Sequence, residues 1–234
     1  MKAFQIFKHS KTNLHAQQVE IPRPKLQPHE LLIEVKASGV NPLDNMITRG
    51  DVRMITPYSF PLTLGNECSG LVVEVGSAVQ NFVVGDKVFS RLPTDQIGAF
   101  ADYVAVPAEA VAKMPESLTF TEAASIPLTA LTASQALELM GAKSGETIFI
   151  SGGSGGLGAM AIPLAKSRGL TVYTNGNSAA RDRVVALGAD RYLDYKTEDY
   201  LEHLTQVDYV LDSLGGAELS RQMKLLKPGG HIVS

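Results

Sequence analysis

Thr147-Ile148-Phe149-Ile150-Ser151-Gly152-Gly153-Ser154-Gly155-Gly156-Leu157-Gly158 is the stretch that decides the fold, with Ala159-Met160-Ala161-Ile162-Pro163-Leu164-Ala165-Lys166 behind it. A short β-branched and aromatic run enters a glycine-dense turn, and an Ala-rich apolar run leaves it. That order predicts strand, tight turn, helix. Gly152, Gly155 and Gly158 fall three apart. Glycines so spaced serve a turn, a close backbone approach to a ligand, and packing of helix on strand. The unpaired N–H groups at the helix start face the same turn and make a ready anion site. A second strand, Leu170–Thr174, follows closely. Together these predict a dinucleotide site over Ser151, Gly152, Gly153, Ser154, Gly155, Gly156, Leu157 and Gly158.

The bulk numbers narrow the class. At 234 residues the chain makes one large domain or two ordinary ones. A net charge of −3 gives no basic field for nucleic acid or an anionic membrane. A single cysteine, Cys68, excludes an internal disulfide and a Cys-rich metal site. No apolar run approaches the ~20 residues of a membrane span. The start, Met1-Lys2-Ala3-Phe4-Gln5-Ile6-Phe7-Lys8, is charged and strand-like rather than a signal peptide, so the cytoplasm is the expected compartment.

The first half reads as β. Glu30 to Ala37 alternates, with Leu31, Ile33 and Val35 on one face. Gly70–Gly76 is a further strand, Val83–Phe89 reads as a turn into another, and Ala101–Val106 follows it; short strands among Gly and Pro turns suggest a barrel or sandwich. The pattern changes near Pro115. Thr121 is placed to cap a helix through Ala123-Ala124, and Thr129 to Met140 is a helical run ending at Gly141. Strands and helices then alternate: Ile148–Ile150, helix Gly156–Ser167, Thr171–Thr174, helix Ala179–Leu187 capped by Gly188, Arg191–Leu193, Val207–Leu211, helix Leu219–Leu226, and a Pro228-Gly229-Gly230 turn into His231-Ile232-Val233. Such alternation predicts a parallel doubly wound sheet. Pro163 falls inside a predicted helix, where an interior proline costs ~3 kcal/mol, so a kink or a later regular start is expected. About five strands follow residue 147 where six are common, so the chain reads as a piece of a longer protein.

Several spaced motifs carry a resemblance. They are Gly39-Val40-Asn41-Pro42-Leu43-Asp44, Gly65-Asn66-Glu67-Cys68-Ser69-Gly70, Val84-Gly85-Asp86-Lys87-Val88, Gly98-Ala99-Phe100-Ala101-Asp102-Tyr103, Pro127-Leu128-Thr129-Ala130-Leu131-Thr132, the glycine turn, Leu187-Gly188-Ala189-Asp190 and Lys227-Pro228-Gly229-Gly230. In this order they resemble the medium-chain dehydrogenase/reductase superfamily, in its zinc-independent quinone oxidoreductase branch. The resemblance implies an α/β fold, with a GroES-like β-barrel domain over 1–118 and a C-terminally incomplete Rossmann domain over 119–234. It also implies a homodimer.

The zinc-dependent relatives carry Cys where Asn41 stands and His where Asn66 stands. Asn is not among zinc's usual ligands, so no metal is expected. Asn41, Asp44 and Arg49 are the candidate catalytic residues, in a segment that the resemblance places beside the nicotinamide. Asn41 offers both donor and acceptor, and Arg49 is close enough in sequence to position Asp44. Asn41-Pro42 and Asp44 also suit an ordinary turn with side-chain caps. Thr129 and Thr132 are assigned to the cofactor by resemblance, the second against the nicotinamide ribose or ring.

NAD enzymes usually carry an acid about 20 residues past the glycine motif. Here the place holds Asn175-Gly176-Asn177-Ser178. The missing acid, with Arg181 nearby and a family-matching Tyr195, points to NADP(H). Leu214 completes the expected cofactor contacts. The implied activity is hydride transfer from NADPH to a quinone, an enone or an aldehyde, with no nucleic-acid or membrane partner. An enoyl-thioester reductase and a non-catalytic NADPH-binding protein of the same fold are the alternatives. The thioester branch shares the pattern of Asn45-Met46-Ile47-Thr48-Arg49-Gly50 but expects a tyrosine just after, where Asp51-Val52 stand.

Overall fold

The computed structural model describes residues 1–234, which divide into two compact units, Met1–Leu128 and Thr129–Ser234. The expected boundary, 118/119, falls ten residues earlier than this division, before the short helix that packs on the first unit's sheet.

The first unit contains β1 (Lys2–Ile6), β2 (Gln17–Glu20), β3 (Glu30–Ser38), α1 (Pro42–Arg49), β4 (Leu62–Thr63), β5 (Glu67–Val75), β6 (Lys87–Arg91), β7 (Tyr103–Pro107), β8 (Val111–Lys113) and α2 (Phe120–Ala124). The five-stranded sheet runs β7-β3-β5-β6-β8, all antiparallel, and a smaller sheet runs β2-β1-β4. The alternation in β3 puts Leu31 and Ile33 into a core with Cys68, Val72, Val88 and Val106. The cap of α2 is Thr119, not Thr121: its Oγ1 accepts from Glu122 N, and Glu122 Oε2 accepts from Thr119 N at 2.8 Å. This reciprocal pair satisfies two helix-start donors at once, which Thr121 cannot do from inside the first turn. The helix α1 was not expected. Its signal is an Asn N-cap, Pro at the first helical position and an acid two residues on, closed by Gly50.

The second unit contains most of α3 (Pro127–Leu139), then β9 (Thr147–Ile150), α4 (Gly156–Ser167), β10 (Thr171–Gly176), α5 (Arg181–Ala186), β11 (Arg191–Asp194), α6 (Tyr200–His203), β12 (Val207–Leu211), α7 (Gly216–Gln222) and β13 (Leu226–Val233). Its five strands are parallel in the order β11-β10-β9-β12-β13. Ile148 and Ile150 enter one hydrophobic cluster, while Phe149 and Val210 enter another. Successive residues of one strand therefore feed both faces, as a sheet covered on both sides requires. The last helix begins at Gly216 rather than Leu219 and tightens to 3₁₀ over Met223–Leu225. No helix is long and apolar enough to cross a membrane.

In α4 the regular helix begins at Gly156, so Pro163 does not delay it. Pro163 lies on the exposed side, while Gly158, Ala161, Ile162 and Ala165 are buried. Its missing donor is thereby left where water can reach the freed carbonyl. At Gly158 a Cβ would sit 2.5 Å from Gly153 Cα and 2.6 Å from Gly152 O, both backbone atoms.

Two substitutions in this one helix carry opposite expectations. Gly158→Ala forces the helix off its strand and lowers stability by about 1–3 kcal/mol. Pro163→Ala restores a helical donor on a solvent face and raises stability, by at most ~3 kcal/mol. Urea denaturation checks both; equal midpoints for the two variants contradict the packing account.

Candidate functional site

The second unit's strand order reverses between β9 and β12, and ligands of open parallel sheets bind at that reversal, beyond the carboxyl ends of the strands. A cavity of about 740 Å³ opens there, lined among others by Gly152, Ser154, Asn175, Gly176, Tyr195 and Leu214. The three glycines differ in their surroundings. Gly152 takes φ +67°, Gly158 packs on the backbone of Gly153, and a Cβ on Gly155 would meet only Gly152 O, at 3.3 Å. Gly155 caps α4 with extended backbone and no side-chain partner, so the first amides of that helix are free for an anion.

The residues around the turn split into scaffold and lining. Ser151 is buried: its N–H donates to Leu211 O at 3.0 Å, and its Oγ accepts from Ser213 N at 2.9 Å. Asn175 braces the turn. Its Oδ1 accepts from Gly152 N at 2.8 Å and its carbonyl accepts from Gly153 N at 2.9 Å. The amide of Asn175 thus serves the scaffold of the turn. Leu157 packs on the core, and Thr129 Cγ2 lies 3.5 Å from where a Gly156 Cβ would stand. Thr132 is exposed on α3. Asn177 precedes a 3₁₀ turn and accepts from Tyr192 Oη through its carbonyl.

Arg181 is already committed. It donates to Tyr192 O at 3.3 Å, pairs with Glu198 at 3.4 Å, and stacks on the Tyr192 ring at 5.0 Å. Arg183 instead reaches the glycine turn, donating to Ser154 O at 3.4 Å. Lys196, which sequence reading passed over, lines the cavity beside Tyr195 and makes no ion pair. Arg221, also on the wall, is held by Asp199 at 2.7 Å and Glu218 at 3.1 Å. The adjacency of Lys196 to Tyr195 was the one signal available for it.

Beyond β12, Asp212 organises the opposite lip. Its Oδ1 accepts from Leu214 N at 2.9 Å and Gln222 Nε2 at 3.0 Å, and its Oδ2 from Gly215 N and Ser234 Oγ at 2.9 Å each. Burial raises the carboxyl's pKa, but these donors outweigh it and hold the group below the ordinary range.

In the first unit the structure gathers a buried polar cluster at the start of α1. Asp44 Oδ2 accepts from Asn41 N at 2.8 Å, and Asp44 Oδ1 accepts from Asn66 Nδ2 at 2.8 Å. Glu67 Oε1 accepts from Asn41 Nδ2, and Glu67 Oε2 from Leu128 N, both at 2.7 Å. Asp44, Asn66 and Glu67 are all buried, and Asn66 Oδ1 has no partner. Burial pushes the Asp44 carboxyl above its ordinary value, against hydrogen bonds from Asn41, Asn66 and Gly65. Arg91 faces Glu67 across the β5–β6 ladder; burial lowers its pKa, and Tyr58, Glu67 and Asp44 pull it back up. Tyr58 thus belongs to this neighbourhood, with its Oη donating to Thr94 O at 2.6 Å. Arg49 does not join it. It sits at the far end of α1, paired with Asp51 at 3.0 Å, because a helix of eight residues separates its two ends.

Residues 27–116 match the alcohol dehydrogenase GroES-like domain, and residues 156–234 match the family of zinc-binding dehydrogenases. A quinone oxidoreductase from Coxiella burnetii superposes with a TM-score of 0.91 at 35% identity, over 100% of this chain and 75% of that one. An Escherichia coli quinone oxidoreductase complexed with NADPH gives 0.88 at 28% identity, over 100% and 72%. The 2-methylene-furan-3-one reductase of Solanum lycopersicum is 32% identical over 241 residues, all of this chain and 61% of that protein. The chain belongs to the medium-chain dehydrogenase/reductase superfamily, in its quinone oxidoreductase-like branch. It spans 53–61% of the length of the first three curated relatives it matches.

The name of the second family raises zinc, and the residues here do not fit it. Asn41 and Asn66 turn N–H donors, not lone pairs, toward the carboxylates beside them. Cys68 is fully buried, and burial with Glu67 beside it pushes its thiol up to about 12. No group of three or more His, Cys, Asp or Glu side chains is placed to hold a metal ion.

Asp212 has an acid signature. Its depressed pKa contributes stability that is complete above the ordinary carboxylate value and is lost as pH falls through the folded value. Asp212→Asn is therefore expected to cost about 1–3 kcal/mol at pH 7 and progressively less below pH 4, by chemical denaturation at each pH. A difference that does not shrink on acidification contradicts this.

Proposed function

We propose that this protein is a zinc-independent, NADPH-dependent oxidoreductase that reduces quinones or α,β-unsaturated carbonyls. The observation that carries it is the glycine turn at the sheet's reversal, whose free helix-start amides open on a cavity of nucleotide size. The relatives support it: one of the solved structures holds NADPH, and the tomato relative is named for an enone.

The first amides of α4 hold the diphosphate, with Gly155 bare so that the backbone can approach it. Leu214 and Tyr195 flank the nucleoside, with Thr129 and Thr132 further along. No carboxylate stands at Asn175–Ser178 to select an unphosphorylated ribose. Lys196, uncommitted and beside Tyr195, takes over the phosphate-reading role expected of Arg181, which Glu198 already occupies. NADPH, when bound, supplies the hydride. Asn41 orients the reacting end, while Asp44 fixes the main chain of Asn41. Both oxygens of Asp44 are occupied by donors, so the proton comes from solvent rather than from this carboxyl. Arg49, on the surface with Asp51, has a supporting role at most. The homodimer implied by the resemblance is part of the same proposal.

Turnover separates an enzyme from a mere binder. The full-length protein should oxidise NADPH with a quinone or enone acceptor; inertness across a panel of both, with NADPH bound, overturns the assignment. NADPH should bind more tightly than NADH in a fluorescence titration, and Lys196→Ala should erase about tenfold of that preference, the loss of ~1.4 kcal/mol. Equal affinities in the unsubstituted protein contradict the phosphate argument. Stoichiometric zinc by metal analysis contradicts the metal-free assignment.

A further inference from the structure

We propose that Glu67 is a positioning residue for this reaction: one carboxylate, anchored to the first turn of α3, locks the side-chain amide of Asn41 in a single orientation. This rests on the proposed function for its catalytic consequence, but its structural core stands separately.

The geometry is one of enforced polarity. Glu67 Oε2 accepts from the main-chain N–H of Leu128 at 2.7 Å, which leaves Oε1 for Asn41 at 2.7 Å. A main-chain N–H can only donate, and a carboxylate can only accept. The amide of Asn41 must therefore turn its Nδ2 to Glu67 and its Oδ1 away. Glu67 is 2% exposed, so water does not compete for either oxygen. Arg91 stands opposite Glu67 in the β5–β6 ladder as the nearby cation.

Gly39 reports the same constraint. A Cβ there would lie 2.2 Å from Glu67 Oε1 and 2.9 Å from Ala124 O. Only glycine lets the segment ahead of Asn41 close over the carboxylate. The main chain of Asn41 is fixed independently, through its N–H on Asp44 Oδ2. Backbone and side chain of Asn41 thus have separate acidic anchors, and the Glu67 anchor fixes which way the amide is turned, with Nδ2 on the carboxylate and the oxygen on the side of the Asp44 N–H at the start of α1.

The conservative substitution inverts this logic. In Glu67→Gln the Leu128 N–H still needs an acceptor and claims the new amide oxygen. The new amide nitrogen then faces Asn41 and can only donate. Asn41 must turn over, with nearly unchanged volume and contacts. A structural role alone does not predict this.

The experiment follows the Asn41 side-chain amide by ¹H–¹⁵N NMR in the protein without added cofactor, its signal identified by its disappearance in Asn41→Ala. Glu67→Gln should move that signal, and Gly39→Ala, which displaces the carboxylate by another route, should move it too. In turnover, Glu67→Gln should lower kcat on the order of 100-fold, the scale of a misplaced contact, while NADPH affinity and Tm stay unchanged. Adding Glu67→Gln to Asn41→Ala should lower kcat no further, since Glu67 acts through Asn41. An unmoved amide signal, an unchanged kcat, or losses that add in the double variant overturns the proposal. If the unsubstituted protein reduces no acceptor, the proposed function fails, and the amide signal still decides the orientation.

Discussion

The second unit depends on backbone meeting backbone without side chains between. Gly158 lies against Gly152 and Gly153, where a single methyl would reach 2.5 Å from a backbone carbon. That contact lets α4 start directly over the end of β9, and so aims its free amides at the cavity. Neighbouring strands then hold the turn by side chains: Asn175 from β10 accepts from Gly152 N, and just past β12 Ser213 Oγ donates to Ser151 O at 3.0 Å while Asp212 Oδ1 accepts from Ser151 Oγ at 3.5 Å. A dinucleotide turn is commonly described by its glycines. Here its rigidity comes equally from buried Asn, Ser and Asp groups whose hydrogen bonds are internal.

The first unit solves a different problem, that of burying carboxylates. Asp44 and Glu67 are both out of water, which is costly unless every lone pair finds a donor. The donors are main-chain N–H groups and the amides of Asn41 and Asn66. The amides of Asn41 and Asn66 thus serve the two acids as neutral donors, at the places where the resemblance puts metal ligands in zinc-dependent relatives. Asn66 Oδ1 is left over, the one buried polar atom of this cluster without a partner.

Much of this was legible beforehand, unevenly. The parallel sheet followed from alternation of strand and helix patterns, and the bounds of α4 match to the residue because an abrupt glycine start and a polar stop bracket it. Short elements were less legible. The helix α1 was hidden because Asn41-Pro42 and Asp44 suit a turn as well as a cap, and only continuation through buried Ile47 separates the two. Thr121 was mistaken for the α2 cap because Thr119 and Thr121 both precede its alanines; Glu122, three residues after Thr119, is what decides.

The sequence by itself determined the architecture, the glycine turn, the absence of an acid at Asn175, and the amide residues Asn41 and Asn66. These are properties of residue type and spacing, which survive without coordinates. Only the tertiary structure decided which charged groups are free. Arg181 is spent on Glu198 and Tyr192 while Lys196 is not, and Arg49 faces Asp51 while Arg91 comes to Glu67. Side-chain partnerships depend on which strands lie side by side and on which end of a helix a residue occupies. Neither is written in a local pattern, since Glu67 meets Leu128 and Asn41 only because folding brings together residues 61 and 26 positions apart.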